Sequence, residues 1–166
     1  DKTLPGFKDL SEEARAIGVH QIFTLVVEPI RDPRLGRNEE AYSEDPFLCA
    51  QYARAIVRAV QGYDVSAPDK VVAGLCHYPG QSQPVSGLER GAMEVSERTL
   101  RNIFLTPWEA GIKQARALGV MATYPAIDGL PAHASAKVLT GILRDELGFE
   151  GLVLSEGSGI GTIVYE

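Results

Sequence analysis

The sequence predicts an α/β fold of parallel (βα) units, and two observations carry that reading. Short β-branched, apolar runs alternate with segments whose apolar residues recur at helical spacing. Each run also ends in a polar stretch marked by glycine or proline, as strands do when their carboxyl ends feed ligand-binding loops. Four strands, each preceded by a helix, imply right-handed crossovers and one parallel sheet. Four units are too few for a closed eight-stranded barrel, so the sheet is either small and open or part of a barrel. The chain stops shortly after its fourth strand with no helix to cover it, which favours a part.

The elements follow in order. Ser11 reads as an N-cap, with Glu12 and Glu13 in the first turn where acids suit the dipole, and this helix ends near Gly18. Gln21 to Val27 is a short strand, and the polar segment from Arg31 to Glu40 is a loop. Asp45 and Pro46 open a second helix as N-cap and first-turn proline. Its apolar positions Leu48, Tyr52, Ile56 and Val60 keep helical spacing, and Gly62 closes it. The second strand covers about Lys70 to Leu75, followed by a loop from Cys76 to Gly91. Ser96 caps a helix through Leu100, Ile103 and Phe104 that Pro107 interrupts, and a further helical segment carries Trp108, Ile112 and Ala115. Val120 to Tyr124 is the third strand. Ser135 to Leu147 is a helix with Val138, Leu139, Ile142 and Leu143 inward and Gly148 as its C-cap, and Gly151 to Ser155 is the fourth strand.

Composition sets the outer bounds. A chain of 166 residues, 45% hydrophobic and 23% charged, suits one domain with a core and excludes a disordered one. A net charge of −6 without a basic stripe argues against a nucleic-acid partner. No apolar run approaches the roughly 20 residues of a membrane span, so no membrane association is expected. No signal peptide heads the sequence, and the compartment stays open. Cys49 and Cys76 read as free thiols. No metal site is expected, because His20 and His133 belong to other regions and no carboxylate–histidine cluster forms. No cofactor is called for either: the first strand lacks a glycine-rich phosphate loop, which counts against a flavodoxin-like nucleotide binder.

The chemistry collects at the strand ends. Gly151 to Gly157 runs an apolar strand straight into a serine, an acid and a glycine, which sets Glu156 at the strand's carboxyl end. An unpaired acid is costly to bury there, so nucleophile, general base or metal ligand stand beside the plain reading of an exposed loop acid. Arg31, Arg34 and Arg37 are interleaved with Asp32, Glu39, Glu40, Glu44 and Asp45. This is either a solvated loop with weak ion pairs, or a turn set by Asp32-Pro33 and Gly36 that offers an arginine fork to sugar hydroxyls or a carboxylate. His77 is either structural or functional. Cys76 and His77 are adjacent on an extended chain and point oppositely, which counts against a histidine-activated thiol. Tyr124 either packs in the core or presents its hydroxyl to a ligand or a carboxylate.

Taken together these segments resemble glycoside hydrolase family 3. Arg31-Asp-Pro-Arg-Leu-Gly-Arg-Asn-Glu-Glu-Ala-Tyr-Ser-Glu-Asp-Pro46 is similar to that family's Arg-Asp-Pro-Arg-Trp-Gly-Arg signature, with Leu35 in the place of tryptophan. His77-Tyr78-Pro79-Gly80 resembles its Lys-His-Phe-x-Gly, and Val120-Met-Ala-Thr-Tyr-Pro-Ala-Ile-Asp-Gly129 its Val-Met-x-Ser-Tyr segment. Leu143 to Ser155 resembles the approach to the family's catalytic Ser-Asp. The resemblance covers nearly the whole chain, in order.

The resemblance implies a partial TIM-type (β/α)8 barrel with about four strands, residues 1–166 being a fragment of the barrel domain with no second domain. It implies a retaining β-glycosidase, β-glucosidase-like, that hydrolyses terminal β-linked glucosyl residues. Glu156 then takes the nucleophile's place, while Arg37, His77, Tyr124 and Cys76 take substrate-binding places. Two positions depart from the family: Cys76 replaces its lysine and Glu156 its aspartate. The loop from Gln81 to Arg90 holds no histidine, unlike the β-N-acetylhexosaminidase branch, so the acid/base is expected from a second domain that the chain lacks, along with the earliest barrel strands. The isolated chain is expected to hydrolyse poorly, and its open sheet edges to associate with missing strands or with a second copy. The alternative is an inactive half-barrel scaffold or carbohydrate-binding relative.

Overall fold

The structure, a computed structural model, describes residues 5–165. Helix α1 (Pro5–Ala16) leads into β1 (Gln21–Val26), and α2 (Pro46–Gln61) into β2 (Val72–Tyr78). A helical passage from Glu97 to Gln114 precedes β3 (Gly119–Ala122) and a small hairpin, β4 (Ala126–Ile127) with β5 (Leu130–Pro131). The helix Lys137–Glu146 then returns the chain to β6 (Leu152–Ser155). The four long strands pair in parallel in the order β1-β2-β3-β6, so the sheet is a curled segment of a (β/α)8 barrel.

Register separates the two faces. Leu75 pairs with Val120 and Val120 with Val153, and this row meets the helices, where Ile56, Val57, Val60, Trp108 and Leu143 are all buried. Burial of each such side chain stabilises the fold by about 1.5–3 kcal/mol. The Trp108 ring meets Tyr78 edge-on at 5.2 Å, and the buried Tyr78 hydroxyl donates to the Val138 carbonyl at 3.0 Å. On the concave face, Phe23 lies across Gly74, where any side chain would strike its ring. Met121 and Leu154 share that face, and Leu154 keeps 43% of its surface exposed.

Several boundaries differ from the sequence expectation. Ser11 is not a cap: the helix starts six residues earlier at Pro5, and the buried Ser11 hydroxyl donates to the Asp69 carbonyl at 2.7 Å, tying α1 to the approach to β2. Asp45 does cap α2, accepting from Phe47 N at 2.7 Å, and Gly62 closes it at a φ of 66°. Leu48 stays 42% exposed although it keeps the helical spacing. Strand β2 runs on to Tyr78, because pairing with Val26 and Ala122 on either side extends it, so Cys76 and His77 belong to the strand rather than to a loop. Pro107 does not end its helix but sits in the first turn of a restarted one, where no N–H is needed. That passage and the helix after Ser135 are wound wide, with bonds such as Leu105 N to Leu100 O and Leu147 N to Ile142 O. The β4–β5 hairpin was not expected, although its turn is Asp128-Gly129, both left-handed, a pair that favours tight hairpins.

Candidate active site

The loop after β1 explains how an arginine comes to point inward. Asp32 accepts from Arg34 N at 2.9 Å and grips the Arg34 guanidinium, while Gly36 reverses the chain at a φ of 77°. Glu40 then lies beside Arg37, accepting from Nε and Nη2 at 2.7 Å each. The remaining nitrogen, Nη1, reaches Glu89 at 2.7 Å and Glu156 at 3.1 Å. Arg37 thus bridges three acids, and they hold it above the ordinary arginine value, Glu40 most strongly. Glu40 is correspondingly held below the usual carboxylate range.

His77 enters from the end of β2, 5% exposed. Its Nδ1 lies 2.8 Å from Glu28 Oε1, an acceptor, so Nδ1 carries the hydrogen. Nε2 lies 3.3 Å from Arg37 Nη2 and 3.4 Å from Glu156 Oε1. Glu28, two residues past β1, was not singled out in the sequence. It is buried and accepts from the backbone N–H groups of His77 at 3.1 Å and Ser82 at 3.0 Å, and from that of Gln81. The signal that could have found it was a lone acid at the end of an apolar strand, the same signal that marked Glu156.

Glu156 follows β6, and its backbone N–H donates to the Ala122 carbonyl at 3.3 Å. Its carboxylate is 6% exposed, and burial pushes it above the usual carboxylate range while His77 and Arg37 pull it back. Gln81 was also overlooked. Oriented so that each of its amide atoms meets a complementary partner, it donates to both Glu156 oxygens at 3.2 Å and accepts from Arg37 Nη1 at 2.8 Å. Phe23, Val26, Arg37, Glu40, His77, Met121, Glu156 and Gly157 line a cavity of about 490 Å³ on the concave side.

The other two sequence-derived residues stand back from this cavity. The Tyr124 hydroxyl donates to the Gly157 carbonyl at 2.7 Å, its ring lies under the Arg90 guanidinium at 4.4 Å, and burial raises its phenol. Cys76 is 1% exposed and packs with Val26, Ile30 and Leu35. Its thiol lies 3.2 Å from the Phe23 carbonyl as donor, and burial raises it well above the ordinary thiol value, so it offers no thiolate. No Cys76–His77 contact forms. Chemically, the cavity presents one buried carboxylate beside a guanidinium, an imidazole and an amide. The guanidinium, imidazole and amide can hold hydroxyl-rich ligands, and the carboxylate can stabilise positive charge developing beside it.

Among the described residues no group of three or more histidine, cysteine or acidic side chains is placed to hold a metal ion, and no helix is long and apolar enough to cross a membrane.

Comparison with known proteins gives a consistent answer. Residues 8–165 match the model of the glycosyl hydrolase family 3 N-terminal domain. A β-xylosidase of Formosa agariphila is 35% identical over 156 residues, 92% of this chain and 22% of that protein. A lysosomal β-glucosidase of Dictyostelium discoideum is 34% identical over 160 residues, 93% of this chain and 20% of that one. The crystal structure of a Listeria innocua β-glucosidase in complex with glucose superposes with a TM-score of 0.91 at 30% identity, covering 96% of this chain and 22% of that one. The chain therefore spans about a fifth of the length of these relatives.

Proposed function

The chain belongs to glycosyl hydrolase family 3, and on that premise we propose that it supplies the nucleophile and part of the sugar pocket of a retaining β-glycosidase acting on terminal β-linked glucosyl residues. The observation that carries this reading is the buried Glu156 carboxylate, held open to the concave cavity by Arg37 and Gln81. In the first half-reaction a Glu156 oxygen bonds to the anomeric carbon as the leaving-group oxygen departs with a proton, giving a glycosyl ester. In the second, water gives up a proton, bonds to the same carbon and frees the carboxylate. Arg37 donates to sugar hydroxyls, His77 accepts from one at Nε2, and Tyr124 steadies the nucleophile's turn through Gly157. The acid/base carboxyl comes from a second domain, residues 1–166 being part of the barrel domain. Cys76 stands where a lysine would donate to the sugar, so binding in this pocket is weaker for its loss.

The isolated chain therefore hydrolyses β-glucosides poorly, and robust turnover by it would contradict the division of labour between domains. The outer edges of β1 and β6 have no strand neighbour among the described residues, which supports association through those edges. A strictly monomeric species in sedimentation at high concentration would contradict that association.

The decisive experiment is trapping with a 2-deoxy-2-fluoro-β-glucosyl fluoride, read by intact mass and peptide mapping. An adduct on Glu156 is expected. A second reading, an inactive sugar-binding scaffold, is favoured by the buried thiol of Cys76. Glucose binding without any adduct would select the scaffold.

A further inference from the structure

His133 contacts both flanks of the Glu156 turn although it lies far from it in sequence. Its Nε2 is 3.0 Å from the Ser155 hydroxyl, the residue just before Glu156. The same ring abuts Gly159, the residue that closes the turn: a Cβ there would lie 2.7 Å from His133 Nε2 and 3.0 Å from Ser155 Oγ. The turn is tight in its own right, with Gly159 N donating to the Glu156 carbonyl at 2.7 Å and Ser158 left-handed at a φ of 62°.

The hydrogens can be placed. Ser155 has one hydroxyl hydrogen, and its oxygen lies 2.8 Å from the Glu156 carbonyl, which can only accept. That hydrogen therefore goes to Glu156, and the Ser155 oxygen receives Nε2–H from His133. Nδ1 is then the unprotonated nitrogen, which agrees with its being buried without a partner and with burial holding His133 below its ordinary value. His133 itself sits on a firm base, between the fully buried Ala132 and the Ser135 side chain that accepts from Val138 N at 3.2 Å.

We propose that His133 is a positioning residue for the nucleophile: through Ser155 on one side and Gly159 on the other it fixes the turn that aims Glu156 into the cavity. This rests on the reading of Glu156 given above, and the test separates the two. His133→Phe keeps a ring of similar size but loses the donor, whereas His133→Gln keeps an N–H near the position of Nε2. With the fluoroglucosyl fluoride as probe, His133→Phe is expected to slow the maximal labelling rate roughly tenfold or more, with half-saturation changed by less than about twofold. His133→Gln should recover most of that rate. Ser155→Ala should match His133→Phe, and the double variant should lose no more than either alone, since both interrupt one relay. Amide hydrogen exchange at Glu156, Gly157 and Gly159 should quicken in His133→Phe, while the β6 amides from Leu152 to Leu154 stay protected.

A His133→Phe chain that labels and exchanges like the parent overturns the proposal. So does a loss confined to half-saturation, or one that His133→Gln fails to restore. Should the parent chain take no label at all, the nucleophile assignment falls. The exchange measurement still decides for or against His133 as the clamp of the turn.

Discussion

Two buried glutamates approach opposite nitrogens of the same imidazole, and they are built for different ends. Glu28, under the strand ends, accepts from three backbone N–H groups as well as from His77, and 1% of it is exposed. Glu156, at the mouth, receives no backbone donor at its carboxylate, only side-chain donors at 3.1–3.2 Å, and His77 Nε2 lies 3.4 Å away without a hydrogen to give. A carboxylate whose lone pairs are filled by backbone amides is part of the scaffold. One whose partners are side chains that can turn away keeps its oxygens for a ligand. Burial is nearly equal for the two, so burial alone does not distinguish a structural acid from the proposed nucleophile.

Substitutions can break this contrast. The largest effect is expected from Glu156→Gln: covalent labelling by the fluoroglucoside should fall by about a thousandfold or more, as losses of nucleophiles do. Stability should change by less than about 1 kcal/mol, because a costly buried charge is removed together with its partners' attraction. Glu28→Ala should do the reverse at the level of folding, costing about 3–5 kcal/mol in urea melts by stranding His77 and three backbone donors. Equal destabilisation by the two substitutions would erase the distinction. Cys76→Lys is a finer probe, expected to tighten glucose binding about tenfold by calorimetry through a new charged donor near Glu156. Unchanged affinity would mean that the thiol marks no lost contact.

The smallest effect is on pH dependence. Glu156 is raised in the folded chain, so above the ordinary carboxylate range the folded state holds a proton that the unfolded chain has released. Stability therefore falls as pH rises through that window, and Glu156→Gln should flatten this part of the profile in thermal melts. Asp32 acts in the opposite sense: Arg34 pulls it down to about 2, so its contribution is present above the ordinary range and is lost as pH falls toward that value.

The alternation of elements was legible because strands and helices announce themselves by period, and the strand ends pointed from the chain alone to Arg37, His77 and Glu156, which the fold brings together. What remained hidden was where side chains meet. From charge alone the loop after β1 read more readily as solvated, since nothing in Arg31 to Glu40 says which guanidinium turns inward; Glu40 and Glu89 decide that in three dimensions. Glu28 carried the same strand-end signal as Glu156 but no motif to draw attention to it. His133 was set aside as belonging to another region, and only the fold brings its ring against Ser155. Strand β2 was drawn too short because pairing on both sides extends it past the residues that resemble a loop. The hairpin escaped because two-residue strands are too short to show an alternation, even with Asp128-Gly129 between them.

The strand order has a consequence for how the chain comes into being. Among the described residues each long strand is hydrogen-bonded to the long strands next to it in sequence, so none of these pairings has to wait for a distant segment. During synthesis each helix–strand unit can dock on the one already formed, its helix covering the outer face at once. Glu156 arrives with β6, after Glu28, Arg37, His77 and His133 have already emerged. Glu156 is thus delivered to partners already in place.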